Sequence, residues 1–292
     1  MAQKIRKAIF PVGGLGTRFL PATKSMPKEM LPVVNKPLIH YAFEEAKASG
    51  IEQFIFVTGR NKNAIANHFD HAYELQNVLS NANKEKELKL ARNWLPEAGS
   101  IMFTRQQAPL GLGHAVWCAR HLIGDEPFAV ILADELMRAD TPCLKQMIKA
   151  YEKTGGNVVG VMDVPRAQTA HYGIVDIDRR FSSPDKCLIK AKALVEKPSP
   201  NKAPSTLSIL GRYILQPEIL TALDKKAKGV GGEIQLTDAI SQMKHIYGYR
   251  VEGERFDCGS VTGYVTANAA YALADKSIRT QVRHNLKQLL EE

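Results

Sequence analysis

The sequence predicts a mixed α/β fold with a mostly parallel central sheet and helices on both of its faces. Two patterns predict it. Up to about residue 165, short apolar runs alternate with longer helical patterns, as in a parallel sheet that is buried on both sides. After that point apolar and polar residues alternate, which is typical of antiparallel strands. We therefore expect a smaller antiparallel portion, followed by C-terminal helices.

The elements of the first half follow in order from the first pattern. Apolar runs predict strands at residues 7–12, 53–59, 100–106, 128–134 and 157–164. Helical patterns between them predict helices at residues 37–50, 61–94, 113–122 and 141–155. Parallel strands need long crossover connections, and these helices supply most of them.

The second half is less regular but carries no linker, repeat or low-complexity tract, so we expect a single domain over residues 1–292. Strands are predicted at residues 172–177, 187–198, 206–215 and 249–257. Helices are predicted at residues 217–226, 233–245, 260–275 and 276–292. The last helix is amphipathic, so it can pack on the body of the protein or on a second subunit.

Composition excludes several classes of protein. With 45% hydrophobic and 24% charged residues and no apolar run of about 18 residues, the chain is predicted to be neither disordered nor membrane-spanning. The net charge of +9 favours anionic ligands, but the basic residues are spread out, so nucleic-acid binding is not expected. The four cysteines form no C-x-x-C pair and there is no signal-peptide pattern, which together predict a cytoplasmic protein.

The stretch "FPVGGLGTRFLPATKSMPKEMLP", residues 10–32, is the strongest candidate for a binding site. Glycines at 13, 14 and 16 let backbone N–H groups approach phosphate oxygens. The spacing fits neither G-x-G-x-x-G, which would need a glycine in place of Phe19, nor a P-loop. Arg18 and Lys28 add two positive charges, which suit a triphosphate. We therefore interpret this segment, from Gly13 to Lys28, as a phosphate-binding loop.

The same stretch resembles the signature of sugar-nucleotide pyrophosphorylases, and most closely that of the bacterial UTP–glucose-1-phosphate uridylyltransferases. The resemblance continues along nearly the whole chain in the family's order. The further matching segments are "GLGHAV" (111–116), "GDEPFAVILADEL" (124–136), "YGIV" (172–175), "VEKP" (195–198), "GRYIL" (211–215), "GGEIQLTDAI" (231–240) and "FDCGS" (256–260). It implies a Rossmann-like fold of the nucleotide-diphospho-sugar transferase type, with a nucleotide-binding half (1–165), a sugar-binding half (166–260) and C-terminal helices (261–292).

The resemblance also implies a reaction. A sugar 1-phosphate, here glucose 1-phosphate, would attack the α-phosphate of UTP in line, giving UDP-glucose and pyrophosphate with the help of Mg²⁺. Such a transfer depends on positioning and on charge neutralisation rather than on covalent catalysis. Asp134, after an apolar strand, and Asp257, at the end of a later one, are the candidate metal ligands, although each alone could be a helix cap or a turn residue.

Other roles come from the resemblance alone. It implies that Gln106 binds the uracil edge, with Gln107 as a rival, and that Gly111 lets the base approach the backbone. It also implies that Gly173 lies under the sugar, that Glu196 binds sugar hydroxyls and that Lys197 binds phosphate. Because adjacent strand residues point to opposite faces, the last two can share a ligand only where the strand ends or twists.

The sequence departs from the family pattern at two places. The segment that usually reads L-P-D-D is Leu132-Ala133-Asp134-Glu135 here, which leaves the shape of the following loop open, and Gly13 replaces the usual alanine. Two alternatives also stay open: a related enzyme with another base or sugar, such as a thymidylyltransferase, and a non-catalytic sugar-nucleotide sensor. The resemblance further implies a homo-oligomer, either a dimer or a tetramer.

Overall fold

The computed structural model describes residues 2–291, which fold around one nine-stranded sheet. The strands are β1 (Lys7–Val12), β2 (Pro32–Val33), β3 (Lys36–Pro37), β4 (Gln53–Thr58), β5 (Ile101–Arg105), β6 (Phe128–Ile131), β7 (Glu135–Arg138), β8 (Asn157–Asp163), β9 (Gly173–Ile177), β10 (Leu188–Glu196), β11 (Leu207–Leu215), β12 (Ile246–Arg250) and β13 (Glu254–Asp257). The helices are α1 (Leu38–Ala48), α2 (Asn63–His68), α3 (Tyr73–Asn81), α4 (Glu85–Arg92), α5 (Leu112–Cys118), α6 (Arg120–Ile123), α7 (Cys143–Thr154), α8 (Ile219–Asp224), α9 (Leu236–Ile240), α10 (Val261–Ala274) and α11 (Arg279–Glu291).

The sheet confirms the predicted fold class. Its strand order is β5-β4-β1-β6-β11-β8-β12-β10-β9. The strands β5, β4, β1 and β6 are parallel, and β8 is parallel to β12. Antiparallel pairing joins β11 to β6 and β8, and joins β10 to β9 and β12. Because β9 also pairs with β11, five strands of this second part form a closed ring.

The core confirms that both faces of the sheet are covered. Alternate residues of β1 point to opposite sides, so that Phe10 joins one buried cluster and Ile9 joins the other. Helices α1 and α7 contribute to the first cluster, and α5, α8 and α9 contribute to the second. A third buried cluster, which includes Phe19, Phe256 and Ala267, packs the glycine-rich loop against β13 and α10. That third cluster fixes the loop relative to the strands that complete the site.

Four predicted elements differ clearly in the structure, one of them the helix predicted at 113–122, which divides into α5 and α6. Residues 61–94 form three short helices, α2 to α4, and the helix predicted at 233–245 is shortened to α9. The strand predicted at 249–257 divides into β12 and β13, because the chain turns at Gly253, whose φ is 136°. A Cβ at Gly253 would lie 2.8 Å from the Arg138 carbonyl oxygen, so the turn brings β13 against β7. The two strands then form a separate antiparallel ribbon.

The chain ends in the two predicted C-terminal helices. Helix α10 packs on β13, and α11 packs on α10. Helix α11 buries none of its described side chains. Within residues 2–291, none of the helices combines the length and the apolar character needed to cross a membrane.

Candidate active site

The glycine-rich loop leaves the end of β1 and returns over itself in three short 3-10 turns. Gly16 has a φ of 68°, and a Cβ there would lie 3.1 Å from the Lys28 Cβ and 3.2 Å from the Thr23 Cγ2. The Thr23 hydroxyl donates a hydrogen bond to the Gly16 carbonyl oxygen at 2.7 Å. An ideal Cβ on Gly14 would lie 3.9 Å from the Lys28 Nζ. The loop therefore folds so that its lysine lies beside its glycines, as a phosphate-binding role requires.

Lys28 and Asp134 form an ion pair at the centre of the site. The Lys28 Nζ donates to the Asp134 Oδ2 at 2.5 Å, and both side chains are 23% exposed. Burial alone would lower the pKa of Lys28, but the adjacent charge and hydrogen bond of Asp134 raise it. Burial acts against the ionised form of Asp134 too, yet Lys28 lowers the pKa of that carboxyl. Both groups are therefore charged near neutral pH, and each is available to a ligand of opposite charge.

Asp134 and Asp257 come together because of the β7–β13 ribbon. Asp134 immediately precedes β7, and Asp257 is the last residue of β13, paired directly with Glu135. Both carboxylates face Gly259, where a Cβ would lie 2.9 Å from the Asp257 Oδ1 and 3.3 Å from the Asp134 Oδ2. The Arg18 Nη1 donates to the Gly259 carbonyl oxygen at 3.3 Å. Three predicted site residues, Arg18, Asp134 and Asp257, thus meet at one glycine.

These two carboxylates fit a magnesium ion. Mg²⁺ in nucleotide sites usually binds one or two carboxylates and takes its remaining ligands from phosphates and water. The space beside Gly259, which any side chain would fill, leaves room next to both carboxylates. Across residues 2–291 no group of three or more His, Cys, Asp or Glu is arranged to hold a metal. The donor set therefore suits a metal shared with a phosphate ligand rather than one enclosed by the protein.

A cavity of about 400 Å³ lies between the glycine-rich loop and α5. Gln106 and Gly111 line it together with Gly13 and Gly14, whereas Gln107 is exposed and does not. The Gln106 Nε2 donates to the Gly111 carbonyl oxygen at 3.0 Å. Gly111 has a φ of 103°, which only glycine adopts readily. The structure therefore brings together all the residues for which a nucleotide role was predicted in this region.

Two further residues, one that contacts Gln106 and one that lines this cavity, were not predicted as site residues. His114, treated in the sequence as part of a helix start, lies 3.1 Å from the Gln106 Nε2 through its Nδ1. Burial, and then the charges of Lys226 and Arg120, lower the pKa of His114, so the ring is neutral and orients the Gln106 amide. Glu233 lines the same cavity from the segment "GGEIQLTD". The only indication of Glu233 in the sequence was that it lies in a segment that resembles the family.

A second cavity, of about 220 Å³, adjoins the first and contains the predicted sugar-site residues. Gly173, Glu196 and Lys197 all line it. Strand β10 ends at Glu196, and Lys197 has a φ of 44°, which turns its side chain back toward its neighbour. The Lys197 Nζ consequently lies 3.4 Å from the Glu196 Oε1. Because β10 ends at this point, the Glu196 and Lys197 side chains can reach the same ligand.

Thr237 is a third residue that the sequence did not single out. Its hydroxyl donates to the Glu196 Oε2 at 2.9 Å, and the residue is buried. Leu112, Leu132 and Glu233 line both cavities, so the two form one continuous cleft. Asp134 lies on the larger cavity, and Glu135 lies on the smaller one. Asp257 lines neither cavity, but the hydroxyl of Tyr172, which lines the smaller one, donates to the Asp257 Oδ2 at 3.4 Å.

Known proteins match this chain over nearly its whole length. A model of the family described as nucleotidyl transferase matches residues 7–273, a span that contains every strand of the fold. The chain belongs to the nucleotidyl transferase family.

Individual relatives show which enzymes of this family the chain is similar to. The UTP–glucose-1-phosphate uridylyltransferase of Bacillus subtilis is 46% identical over 297 aligned residues, which cover 99% of each chain. A UTP-bound UDP-glucose pyrophosphorylase from Acinetobacter baumannii is 40% identical with a TM-score of 0.88, over 99% of each chain. A UDP-glucose pyrophosphorylase complexed with UDP-glucose is 42% identical with a TM-score of 0.84, covering 93% of this chain and 100% of that one.

In this nucleotidyl transferase, a buried arginine supports the segment that carries Asp134. Arg212 is 1% exposed and binds Glu45 through two nitrogens, with its Nη2 at 2.8 Å from the Glu45 Oε2. It also donates to the carbonyl oxygens of Leu132, at 2.9 Å, and of Glu135, at 2.8 Å. Those carbonyls flank Asp134 on both sides. Arg212, known from the sequence only as part of "GRYIL", therefore fixes the backbone from which Asp134 projects.

A second buried pair lies beneath the glycine-rich loop. The Lys62 Nζ donates to the Glu29 Oε2 at 2.7 Å, and the two side chains are 7% and 2% exposed. Burial raises the pKa of Glu29, although the nearby charge of Lys62 opposes that change. Glu29 directly follows Lys28, so this pair supports the backbone at Lys28.

Proposed function

We propose that this nucleotidyl transferase is a UTP–glucose-1-phosphate uridylyltransferase, which forms UDP-glucose and pyrophosphate. The observation that carries the proposal is the continuous cleft, in which a nucleotide-sized cavity and a sugar-sized cavity meet beside Asp134 and Lys28. The names of the relatives, including two bound to UTP or to UDP-glucose, support the same substrates.

In the nucleotide part, which we assign to residues 1–165, the glycine-rich loop would hold the triphosphate. Gly13, Gly14 and Gly16 offer backbone N–H groups, while Arg18 and Lys28 balance the negative charge of the pyrophosphate that leaves. At the other end of the cavity, both Nε2 hydrogens of Gln106 are used by the Gly111 carbonyl oxygen and the His114 Nδ1, so its Oε1 would accept a hydrogen bond from the imide N–H of uracil. Its contact with His114 would fix the orientation of the amide.

In the sugar part, which we assign to residues 166–260, Glu196 would accept hydrogen bonds from sugar hydroxyls beside Gly173. Lys197 would bind the phosphate of glucose 1-phosphate and direct it toward the UTP. A phosphate oxygen then forms a bond to the α-phosphorus, and the bond from that phosphorus to the bridging oxygen of pyrophosphate breaks. No general base is needed, because the attacking oxygen is already an anion.

Asp134 and Asp257 would hold a magnesium ion in this site. When bound, Mg²⁺ neutralises charge on the phosphate oxygens and thereby favours attack at phosphorus. Lys28 balances the charge of Asp134 in the structure described above. The same lysine lies beside Gly14, so its Nζ is also within reach of a phosphate held by the loop.

The test is a panel of substrates with pyrophosphate release as the measurement. The protein is incubated with Mg²⁺, each common nucleoside triphosphate and a set of sugar 1-phosphates. We expect the fastest release with UTP and glucose 1-phosphate, and none when EDTA removes the metal. Release from dTTP faster than from UTP would favour a thymidylyltransferase instead. If no pair releases pyrophosphate while UDP-glucose still binds, the protein is a sugar-nucleotide sensor.

We further propose that the enzyme is a cytoplasmic homo-oligomer, either a dimer or a tetramer. The C-terminal helices expose apolar side chains, among them Val265 at 59% and Leu290 at 86%, which a second copy would cover. All four cysteines are unpaired, as is usual in a reducing compartment. Light scattering during size-exclusion chromatography tests the assembly, because a monomer mass would contradict it. Cell fractionation tests the compartment.

A further inference from the structure

The β7–β13 ribbon contains an arrangement of charges that would repel without a cation. Glu135 and Asp257 are directly opposite each other in the antiparallel pair, so their side chains lie on the same face. Two carboxylates in such a position repel each other. Arg255, two residues before Asp257, lies on that face as well, and its Nε donates to the Glu135 Oε2 at 2.8 Å.

Tyr172 connects this arginine to Asp257. The Arg255 guanidinium lies 4.3 Å from the centre of the Tyr172 ring. The Tyr172 hydroxyl donates to the Asp257 Oδ2 at 3.4 Å. The Asp257 Oδ1 accepts from the Gly259 backbone N–H at 3.0 Å, so each oxygen of the carboxylate has its own donor. Glu135, Arg255, Tyr172 and Asp257 therefore form one connected chain of contacts.

We propose that Glu135, Arg255 and Tyr172 are positioning residues that fix the Asp257 carboxylate opposite Asp134 and so set the affinity of the site for a divalent metal. This inference rests on the proposed function, because it assumes that the two aspartates hold Mg²⁺. Groups that orient metal ligands in this way change metal affinity without contacting the ion.

The burial of Arg255 supports a functional role. Arg255 is 8% exposed and Glu135 is 14% exposed, and a buried ion pair contributes little net stability because both charges lose water. In addition, the Arg255 Nη2 is buried and has no hydrogen-bond partner among the described residues. The same ribbon contains a second Arg–Glu pair, Arg138 with Glu254, whose side chains are 39% and 55% exposed. An exposed pair was thus possible in this ribbon, yet the pair beside Asp257 is buried.

The second pair also provides a matched control. Arg138 and Glu254 pair across the far end of the ribbon, away from Asp257. Arg138→Met removes an arginine and an ion pair from the same two strands without changing the Glu135–Arg255–Tyr172 chain. Arg255→Met removes the corresponding groups next to the candidate metal site. Because the two pairs also differ in burial, thermal unfolding is compared for both variants, and the double variant described below separates the effect on Asp257 from the cost of leaving Glu135 without its cation.

The experiment measures how strongly a metal tightens nucleotide binding. Calorimetry gives the Kd of UTP without metal and with saturating Mn²⁺, in the absence of a sugar phosphate, and the ratio of the two is the metal coupling. We expect Arg255→Met to lower this coupling about 10-fold and Arg138→Met to leave it unchanged. The double variant Glu135→Gln/Arg255→Met should recover most of it, because the repelling charge is gone. Circular dichroism and thermal unfolding confirm that each variant is folded.

The possible outcomes separate this inference from the proposed function. If Arg255→Met is folded and keeps the wild-type coupling, or if the double variant is no better than the single one, the positioning role is wrong. If the wild-type protein binds UTP but shows no metal coupling, the metal assignment of Asp134 and Asp257 fails, and the inference fails with it. If the wild-type protein does not bind UTP, the proposed function itself is contradicted.

Discussion

The glycine-rich loop and the β7–β13 ribbon form opposite sides of the same site, but they are built differently. In the loop, the residues from Gly13 to Lys28 are neighbours in sequence, and a single motif contains the glycines and both cations. In the ribbon, Asp134 and Asp257 come from distant segments and meet only because β7 pairs with β13. The loop residues therefore lie together because they are neighbours in the sequence, whereas the two aspartates lie together because two strands pair.

The comparison assigns different tasks to the two sides. The loop offers backbone N–H groups and positive charge, which suit a triphosphate. The ribbon offers two carboxylates, which suit a metal ion shared with a phosphate. Changes in the ribbon should therefore affect turnover most, whereas changes in the loop should affect nucleotide affinity most.

The largest effect is expected for Asp134→Asn in the ribbon. Without this carboxylate the site loses one of the two proposed metal ligands, and we expect kcat to fall about 10³-fold. The control is Asp140→Asn, an exposed aspartate shortly after β7. Steady-state rates at saturating Mg²⁺ give the comparison. An Asp134→Asn enzyme with nearly wild-type kcat would remove Asp134 from the metal site.

The next effect concerns stability, and it compares two of the buried ion pairs, Arg212–Glu45 and Lys62–Glu29. Arg212→Met leaves Glu45 buried without its cation and the carbonyls of Leu132 and Glu135 without their donor. We expect the free energy of unfolding in urea to fall by about 3–5 kcal/mol. Lys62→Met beneath the loop should cost less, because Glu29 already has a raised pKa and can become neutral. Equal losses in the two variants would contradict this difference.

A smaller effect is expected for Lys28→Met in the loop. This change removes one of the two loop cations assigned to the triphosphate, so kcat/KM for UTP should fall about 10²-fold while KM for glucose 1-phosphate changes little. Lys24→Met is the matched control, since Lys24 is an exposed lysine in the same loop. Initial rates at varied UTP measure the effect. If the substitution raises only the KM for glucose 1-phosphate, Lys28 acts on the sugar phosphate and its assignment to the triphosphate is wrong.

The smallest effect is expected in the sugar cavity, for Thr237→Val. The substitution keeps the shape of the side chain but removes its hydrogen bond to the Glu196 Oε2. We expect KM for glucose 1-phosphate to rise about 10-fold, with kcat/KM for UTP nearly unchanged. Thr266→Val on the exposed face of α10 serves as the control. If both variants behave alike, Thr237 does not orient Glu196.

The contrast between a contiguous loop and a ribbon formed by distant segments explains what the sequence could predict. The parallel and antiparallel parts of the sheet followed from periodicity, and the loop residues followed from a contiguous motif. The turn at Gly253 was missed because one glycine within an alternating pattern does not show which strand its neighbours will pair with. For that reason the ribbon, and with it the position of Asp257 beside Asp134, could be expected only through the family resemblance.

Residues that act through other residues were the hardest to find. Gly259, Arg212 and Thr237 lie in segments that were recognised, but nothing in the sequence shows that a glycine faces two carboxylates or that an arginine donates to two carbonyls. Glu135 was noticed only as a departure from the family pattern. Its contact with Arg255 explains how the longer side chain is accommodated, since the Glu135 carboxylate is held across the ribbon.

The most direct test of the central claim is to follow the reaction by phosphorus NMR. Wild-type protein is mixed with UTP, glucose 1-phosphate and Mg²⁺, and the signals of both substrates and both products are recorded together. We predict that UDP-glucose and pyrophosphate form in equal amounts, and that the Asp134→Asn variant forms almost none. Unchanged UTP and glucose 1-phosphate with the wild-type protein, or pyrophosphate without UDP-glucose, would contradict the account.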